Sequence, residues 1–182
     1  MLNKALFLDR DGVVNVDHGY VYEPEKFEFI DGVFSACKAF VDAGYKLIIV
    51  TNQSGIGRGY YTEADFHALS NWVIAQFAEH NITVSGIYFC PHHPKKALPE
   101  YLKECQCRKP APGMLLQGID EHHIDATQSI MVGDKLSDMQ AASNANITTK
   151  VLVRSGQAFD SSAIAAADHI SDSLADLPAL LL

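Results

Sequence analysis

Short apolar runs alternating with stretches of helical period predict an α/β chain with a doubly wound, mainly parallel sheet. Three observations carry this. Ala5–Leu8, Lys46–Val50 and Ser129–Val132 are apolar runs of strand length, and each hands over to polar residues at its carboxyl end. Amphipathic or alanine-rich segments of helical spacing follow these runs. Between Asn15 and Thr51 there is room only for a loop and a helix, so no large cap domain interrupts the first repeat.

The first run, Ala5-Leu6-Phe7-Leu8, leads into Asp9 and Asp11, with Gly12 supplying the sharp turn. Open α/β sheets keep their chemistry at such carboxyl ends. Two carboxylates one residue apart repel each other and call for a cation, and hard oxygen donors suit Mg²⁺. Taken alone, a D-x-D after a strand is equally a solvated turn. Val16 to Glu28 lacks a helical period, and Pro24 argues against a helix through it, so it reads as a loop over the strand's end. His18 and Tyr20 in that loop are either anchors or substrate contacts. Val33–Asp42 has the spacing of an amphipathic helix capped by Gly44, with Cys37 on its apolar stripe as a core residue.

The second strand, Lys46–Val50, ends in Thr51-Asn52-Gln53-Ser54-Gly55, where a hydroxyl and successive N–H groups can donate to phosphate oxygens. The same residues make good turn chemistry without any ligand. Gly55-Ile56-Gly57 is no dinucleotide fingerprint, because position 60 is Tyr60 rather than glycine. Thr62 is placed as the N-cap of a helix running to about His80, with Glu63 and Asp65 favouring its positive end and Trp72 near the apolar stripe. Ile87–Phe89 reads as a short third strand. Ser129–Val132 leads into Gly133-Asp134-Lys135. Leu136–Ala145 then reads as a helix, Thr149–Val153 as a fifth strand, and Ala163–Leu182 as helical pieces interrupted by Pro178.

Cys90-Pro91-His92-His93-Pro94 and Cys105-Gln106-Cys107 flank a stretch without regular pattern, which needs an internal staple. Three thiolates and one imidazole, from Cys90, His92, Cys105 and Cys107, make a closed structural zinc set with no open position for substrate. A redox or merely buried pair at Cys105 and Cys107 is the plainer reading. Anchoring Cys107 would also fix where the adjacent Arg108 and Lys109 point.

The full set, Asp9 and Asp11, Thr51, Lys109, then Gly133-Asp134 with Asp138, resembles the haloacid dehalogenase superfamily. The segments DRDGVVN, DHGY, FIDGV, TNQSGIGRG, CPHHP, CRKPAPGM and GDKLSDMQAA are similar to its heptose bisphosphate phosphatase branch, with histidinol-phosphatase domains next. The similarity runs from Leu8 to Leu182, and Val13 stands where threonine is frequent. The resemblance implies a Mg²⁺-dependent phosphatase acting through an aspartyl-phosphate. Asp9 would be the nucleophile and Asp11 the general acid and base. Thr51 and Lys109 would stabilise the phosphoryl oxygens. Asp9, the Asp11 carbonyl and Asp134 would hold Mg²⁺, with Asp138 orienting Lys109 or a metal-bound water. The phosphate at carbon 7 of a heptose 1,7-bisphosphate would leave, for lipopolysaccharide precursor synthesis. Arg108 is suited to a second phosphate and Lys135 to added charge, while Asp17, His18, Gly19, Tyr20, Asn52, Gln53 and Ser54 are candidate substrate contacts.

Composition bounds the remainder. One domain over residues 1–182 can bury a sizeable core, and the formal net charge of -8 argues against a nucleic-acid partner. No apolar run is long enough to span a bilayer, and no secretory leader is expected before Asp9. A cytoplasmic monomer acting on a small phosphorylated sugar is the expectation. Histidinol phosphate is the near alternative as substrate, and a noncatalytic zinc-binding interaction module the distant one.

Overall fold

The computed structural model describes residues Met1–Leu182. Its centre is a six-stranded parallel sheet of β1 (Lys4–Leu8), β2 (Tyr45–Asn52), β3 (Val84–Cys90), β4 (Ile130–Gly133), β5 (Thr149–Val153) and β6 (His169–Ser171). The spatial order is β3-β2-β1-β4-β5-β6. The chain moves outward from β1 to β3, then restarts at β4 on the other side of β1. That reversal opens a crevice beyond the carboxyl ends of β1 and β4, where open α/β sheets bind their ligands. Leu8 is in register with Ile49 of β2 and Val132 of β4, so three strand ends lie abreast.

Alternation along the strands separates two cores. Leu6, Leu8, Leu47, Ile49, Ile130 and Val132 face one side. They pack there against α1 (Val33–Asp42), with Val33, Ala36, Cys37 and Phe40, and against a later helix through Leu69, Val73 and Phe77. Phe7, Ile48, Val50 and Met131 face the opposite side, among Met114, Leu115, Ala141 and Ala142. Cys37 is fully buried, and burial pushes its thiol well above the usual value, as befits a core residue.

The remaining helices are α2 (Ser54–Gly57), α3 (Glu63–Glu79), α4 (Gly113–Glu121), α5 (Leu136–Asn144), α6 (Ser161–Ala166) and α7 (Leu177–Leu181). Thr62 caps α3 as expected. Its hydroxyl accepts from the Asp65 N–H at 3.1 Å, and the Asp65 carboxylate accepts from the Thr62 N–H at 2.9 Å. Several expectations need correction. The loop after Asn15 contains a 3₁₀ turn over Pro24–Lys26, because Pro24 stands at the first turn position, where its missing N–H costs nothing. Pro178 likewise sits in the opening turn of α7 and does not interrupt it. The zinc-loop stretch includes a 3₁₀ turn at Pro99–Tyr101. Helices α2 and α4 lie where no helix is read from the sequence, since each carries two glycines that lower helix propensity. The strand at His169–Ser171 has no pattern of its own and forms by pairing with β5. No helix is long and apolar enough to cross a membrane.

Candidate active site

Asp9 follows β1 directly, and its N–H donates to the Val132 carbonyl at 3.0 Å, extending the strand pairing by one residue. Lys109 reaches it from 100 positions away in the chain. Its ammonium uses all three protons, on Asp9 Oδ1 at 2.9 Å, Asp138 Oδ1 at 2.6 Å and the Val50 carbonyl at 3.0 Å. The second oxygen of Asp138 accepts from the N–H groups of Asp134 and Lys135, each at 3.1 Å. Asp138 thus orients Lys109 and ties down the turn that carries Asp134. Gly12, at φ +90°, passes so close that a Cβ would run into the Asp134 carboxylate and Gly156. Only glycine fits there.

Asp9, Asp134 and Asp138 are all buried, and donor oxygens from the three lie within 4.8 Å of one another. One ammonium faces three carboxylates. Burial and the Asp138 charge push the Asp9 carboxyl well above its usual value, against the pull of Lys109. Burial and Asp138 also raise Asp134. Burial would lower the Lys109 ammonium, yet Asp138 and Asp9 hold it above its ordinary value. Asp134 Oδ2 accepts from the Gln157 N–H at 2.8 Å, but Oδ1 is buried without any hydrogen-bond partner. A buried, unpaired carboxylate oxygen beside surplus negative charge is a site shaped for a cation, and its all-oxygen donors suit Mg²⁺.

The Asp11 carboxylate stands apart from this cluster. Its Oδ1 accepts from Arg10 Nη2 and Asn15 Nδ2, both at 3.0 Å, and its Oδ2 from Gln53 Nε2 at 3.2 Å. Burial alone would raise the Asp11 carboxyl, but Arg10 and these hydrogen bonds leave it below the usual range. Thr51 is fully buried, and its Oγ1 accepts from Gln53 Nε2 at 2.8 Å.

A cavity of about 530 Å³ opens over these residues. Asp9, Asp11 and Lys109 line it, as do the expected contacts Asp17, Gly19, Tyr20, Asn52, Gln53, Ser54, Arg108 and Lys135. Thr51 and Asp134 are fully buried and lie outside the lining. His18 does not reach the cavity: its ring pairs with Glu28 Oε2 at 3.0 Å across its own loop. Two of the lining amides already have protein partners. Asn52 accepts from the Lys109 N–H at 3.0 Å and donates to the Lys109 carbonyl at 3.3 Å, so it sets the Lys109 backbone. Gln53 spans Asp11, Thr51 and the Tyr61 hydroxyl. Arg108 has no carboxylate partner, and its Nη1 is buried without a hydrogen bond. Burial and the neighbouring Arg58 charge lower its guanidinium, with Cys105 and Tyr20 opposing.

The cysteine cluster meets this site at one joint. Cys90 ends β3 opposite Asn52 of β2, and its carbonyl accepts from the Gln53 N–H at 2.8 Å. Donor atoms of Cys90, His92, Cys105 and Cys107 all lie within 4.8 Å of one another. The sulfurs of Cys90 and Cys107 are in contact, with Cys105 Sγ 3.4 Å from each and His92 Nδ1 3.6 Å and 3.4 Å away from them. The touching pair is therefore Cys90 with Cys107, not Cys105 with Cys107 as the plainer reading had it. His93 is turned away and accepts from the Lys95 and Lys96 N–H groups at 3.0 and 2.9 Å, which leaves His92 as the imidazole of the cluster.

Four residues of the site escape a reading of the sequence. Arg10 is buried between two aspartates and also donates to the Val21 carbonyl at 2.9 Å, clamping the loop to Asp11; the D-R-D spelling was the available signal. Arg58 lies over the Tyr20 ring at 5.8 Å with no carboxylate partner. Gln157 joins the turn of Asp134 to Asp17 through a side-chain bond of 2.6 Å. Nothing local marks Gln157 or Tyr61, because their partners are distant in sequence or hidden inside a turn.

Known proteins are similar to this chain over most of its length. A family model described as HAD-hydrolase-like matches residues 106–177. The D-glycero-beta-D-manno-heptose-1,7-bisphosphate 7-phosphatase of Yersinia pestis is 55% identical over 174 residues, 96% of this chain and 93% of that protein. The protein of the same name from Escherichia coli K12 is 55% identical over 174 residues, 96% of this chain and 91% of its own length. A crystal structure of D,D-heptose 1,7-bisphosphate phosphatase from B. bronchiseptica, complexed with magnesium and phosphate, superposes with a TM-score of 0.83 at 30% identity, covering 98% of this chain and 97% of that one. With near-complete coverage at such identity, and with the buried aspartate–lysine cluster in place, this chain belongs to the D-glycero-beta-D-manno-heptose-1,7-bisphosphate 7-phosphatase family of HAD-like hydrolases.

Proposed function

We propose that the chain, as one catalytic domain, hydrolyses the 7-phosphate of D-glycero-D-manno-heptose 1,7-bisphosphate in the cytoplasm, leaving heptose 1-phosphate. The observation that carries this reading is the Asp9–Lys109–Asp138–Asp134 cluster buried at the strand ends beneath an open polar cavity. The names of the relatives favour the beta anomer.

Asp9 attacks phosphorus and forms an aspartyl-phosphate, splitting one hard hydrolysis into two displacements. Lys109 and the Thr51 hydroxyl hold the phosphoryl oxygens, where transition-state charge gathers. In its protonated form Asp11 gives a proton to the departing sugar oxygen, and the carboxylate so formed takes one from the water that frees Asp9. Asp138 keeps the ammonium aimed between itself and Asp9. Asp9, the Asp11 carbonyl and Asp134 would hold Mg²⁺, consistent with the magnesium of the B. bronchiseptica structure and with the partnerless Asp134 Oδ1. When bound, that cation offsets the repulsion between the nucleophile and an anionic phosphate.

Cys90, His92, Cys105 and Cys107 would hold a structural Zn²⁺. Four converging soft donors complete a tetrahedral set, whereas a Cys90–Cys107 disulfide would leave Cys105 and His92 without a purpose at the same point. On the rim, Arg108 presents a planar fork with no internal anion to satisfy it, which suits the retained phosphate of a bisphosphate. Arg58 adds positive charge beside it.

The testing experiment compares phosphate release from both heptose bisphosphate anomers and from histidinol phosphate, using wild type and Arg108→Ala. Wild type is expected to prefer a heptose bisphosphate, and the variant to lose that preference while keeping its rate on the monophosphate. Preference for histidinol phosphate would replace the substrate assignment. No Mg²⁺-dependent release from any of the three would remove the phosphatase reading.

A further inference from the structure

Tyr61 lines the cavity, and a single amide joins it to Asp11 and Thr51, two of the side chains assigned to the phosphate above. Its hydroxyl donates to Gln53 Oε1. The Gln53 Nε2 then donates to Asp11 Oδ2 at 3.2 Å and to Thr51 Oγ1 at 2.8 Å. A glutamine amide has two ends of nearly equal shape and opposite hydrogen-bonding sense. The wrong end here would set Oε1 against the Asp11 carboxylate. With Nε2 given to Asp11 and Thr51, Oε1 must face a donor. Tyr61 is that donor. Its ring is held by stacking on Tyr22, with centroids 5.0 Å apart, and by packing with Ile56 and Phe66. Burial keeps the phenol's proton on, raising it above the usual tyrosine value.

We propose that Tyr61 is a positioning residue for the phosphatase reaction: it fixes the Gln53 amide so that one nitrogen aims both the Asp11 carboxylate and the Thr51 hydroxyl. The consequence at Thr51 is specific. With a lone pair of Oγ1 engaged by Gln53, the hydroxyl proton is left to point elsewhere, and its protein acceptor, the Asn52 carbonyl, is 3.4 Å away. A phosphoryl oxygen offers a better acceptor. At Asp11 the amide is one of three donors, and it alone comes from the phosphate-binding loop. Tyr61 therefore couples the group that protonates the leaving oxygen to the group that steadies the phosphoryl oxygens. Gly55 makes the contact possible, since a Cβ there would collide with the Tyr61 ring.

This inference rests on the roles given to Asp11 and Thr51 above. It is tested by steady-state kinetics on the heptose bisphosphate with saturating Mg²⁺, for Tyr61→Phe, Gln53→Ala and the double variant. Tyr61→Phe keeps the stacked ring and should lower kcat about three- to tenfold, the worth of one buried hydrogen bond, with KM little changed. Gln53→Ala should be worse, and the double variant no worse than Gln53→Ala, because Tyr61 acts only through that amide. Gln53→Glu, which turns an acceptor toward Asp11, should fall below Tyr61→Phe. An unchanged kcat in Tyr61→Phe, a change in KM alone, or losses that multiply in the double variant would each overturn the proposal. Asp11→Asn separates the two levels. If it retains substantial turnover, the role given to Asp11 fails, whereas a dead Asp11→Asn beside a fully active Tyr61→Phe rejects Tyr61 alone.

Discussion

Two clusters of side chains able to ligate a metal meet in this fold, and they are built in opposite ways. The carboxylates of Asp9, Asp134 and Asp138 are buried, the first two just past strand ends and the third in the first turn of α5, with Lys109 bonded into their midst. The thiolates and imidazole of Cys90, His92, Cys105 and Cys107 hold a loop, and all but Cys90 are partly exposed. The sheet supplies the rigidity of the first cluster, and its charges are not balanced. In the second, the cluster itself must supply the rigidity, because the segment from Pro91 to Glu104 has only one 3₁₀ turn of its own. The difference teaches which way the dependence runs. The carboxylate site exists because the strands are abreast, while the loop exists because its ligands converge. The two meet at the Cys90–Asn52 pairing and at Lys109, two residues past Cys107.

The sharpest way to separate the clusters is Asp9→Asn. Turnover should fall at least about 10⁴-fold, as for loss of a covalent nucleophile, while the metal content of the cysteine loop stays unchanged. Stopped assays with elemental analysis of the same sample read both; substantial residual turnover would reject the nucleophile. Lys109→Met comes next, because it acts on rate and stability together. It strips the only cation from two buried carboxylates and is expected to cost about 3–5 kcal/mol in urea unfolding, beyond its loss of rate. A variant as stable as wild type would show that Asp9 and Asp138 are not held by this pair.

If the cysteine loop holds the proposed zinc, chelation with Mg²⁺ restored afterwards should lower the rate about tenfold by loosening the anchor behind Arg108 and Lys109. It should also raise proteolytic cleavage between Pro91 and Glu104. An unchanged rate and cleavage pattern would leave the loop held by the Cys90–Cys107 pair alone. The smallest effect concerns pH. Folding raises the carboxyls of Asp9 and Asp134 above the ordinary 3.8. In the metal-free protein the folded chain therefore binds these protons more tightly than the unfolded chain. That share of stability is complete below 3.8 and is lost as pH rises through the raised values. Adding Mg²⁺ should thus raise the melting temperature more near pH 7.5 than near pH 5, since only ionised carboxylates bind it well. An equal gain at both would mean that Asp9 and Asp134 are not the ions' ligands.

Much of this was legible before any coordinates. Asp9, Asp11 and Asp134 stand where an apolar run breaks into charge and Lys109 follows a cysteine pair, while Asp138 and the role expected of each of the five came from the resemblance to a known superfamily. The helix over Val33–Asp42 and the strand over Thr149–Val153 emerge with the same bounds from period alone. Of the two readings left open for His18, loop anchor or substrate contact, the pairing of its ring with Glu28 in the same loop fits the first. Gln53 and Asn52, named as candidate substrate contacts, do line the cavity, but their amides also bond protein partners that only folding brings near.

What the sequence by itself determined is the set of local conformations and the chemistry of the side chains. Alternating apolar periods specify strands and helices, and Gly12, Thr62 and the D-x-D turn place particular groups at their ends. What only the tertiary structure decided is who faces whom: that Lys109 serves Asp9 rather than solvent, that Gln157 latches Asp134 to Asp17, and that Tyr61 addresses Gln53. The physical reason is range. Propensity and capping act over one or two turns of chain, whereas a hydrogen bond across 100 residues exists only once burial has brought its partners together and removed the water that would otherwise satisfy them.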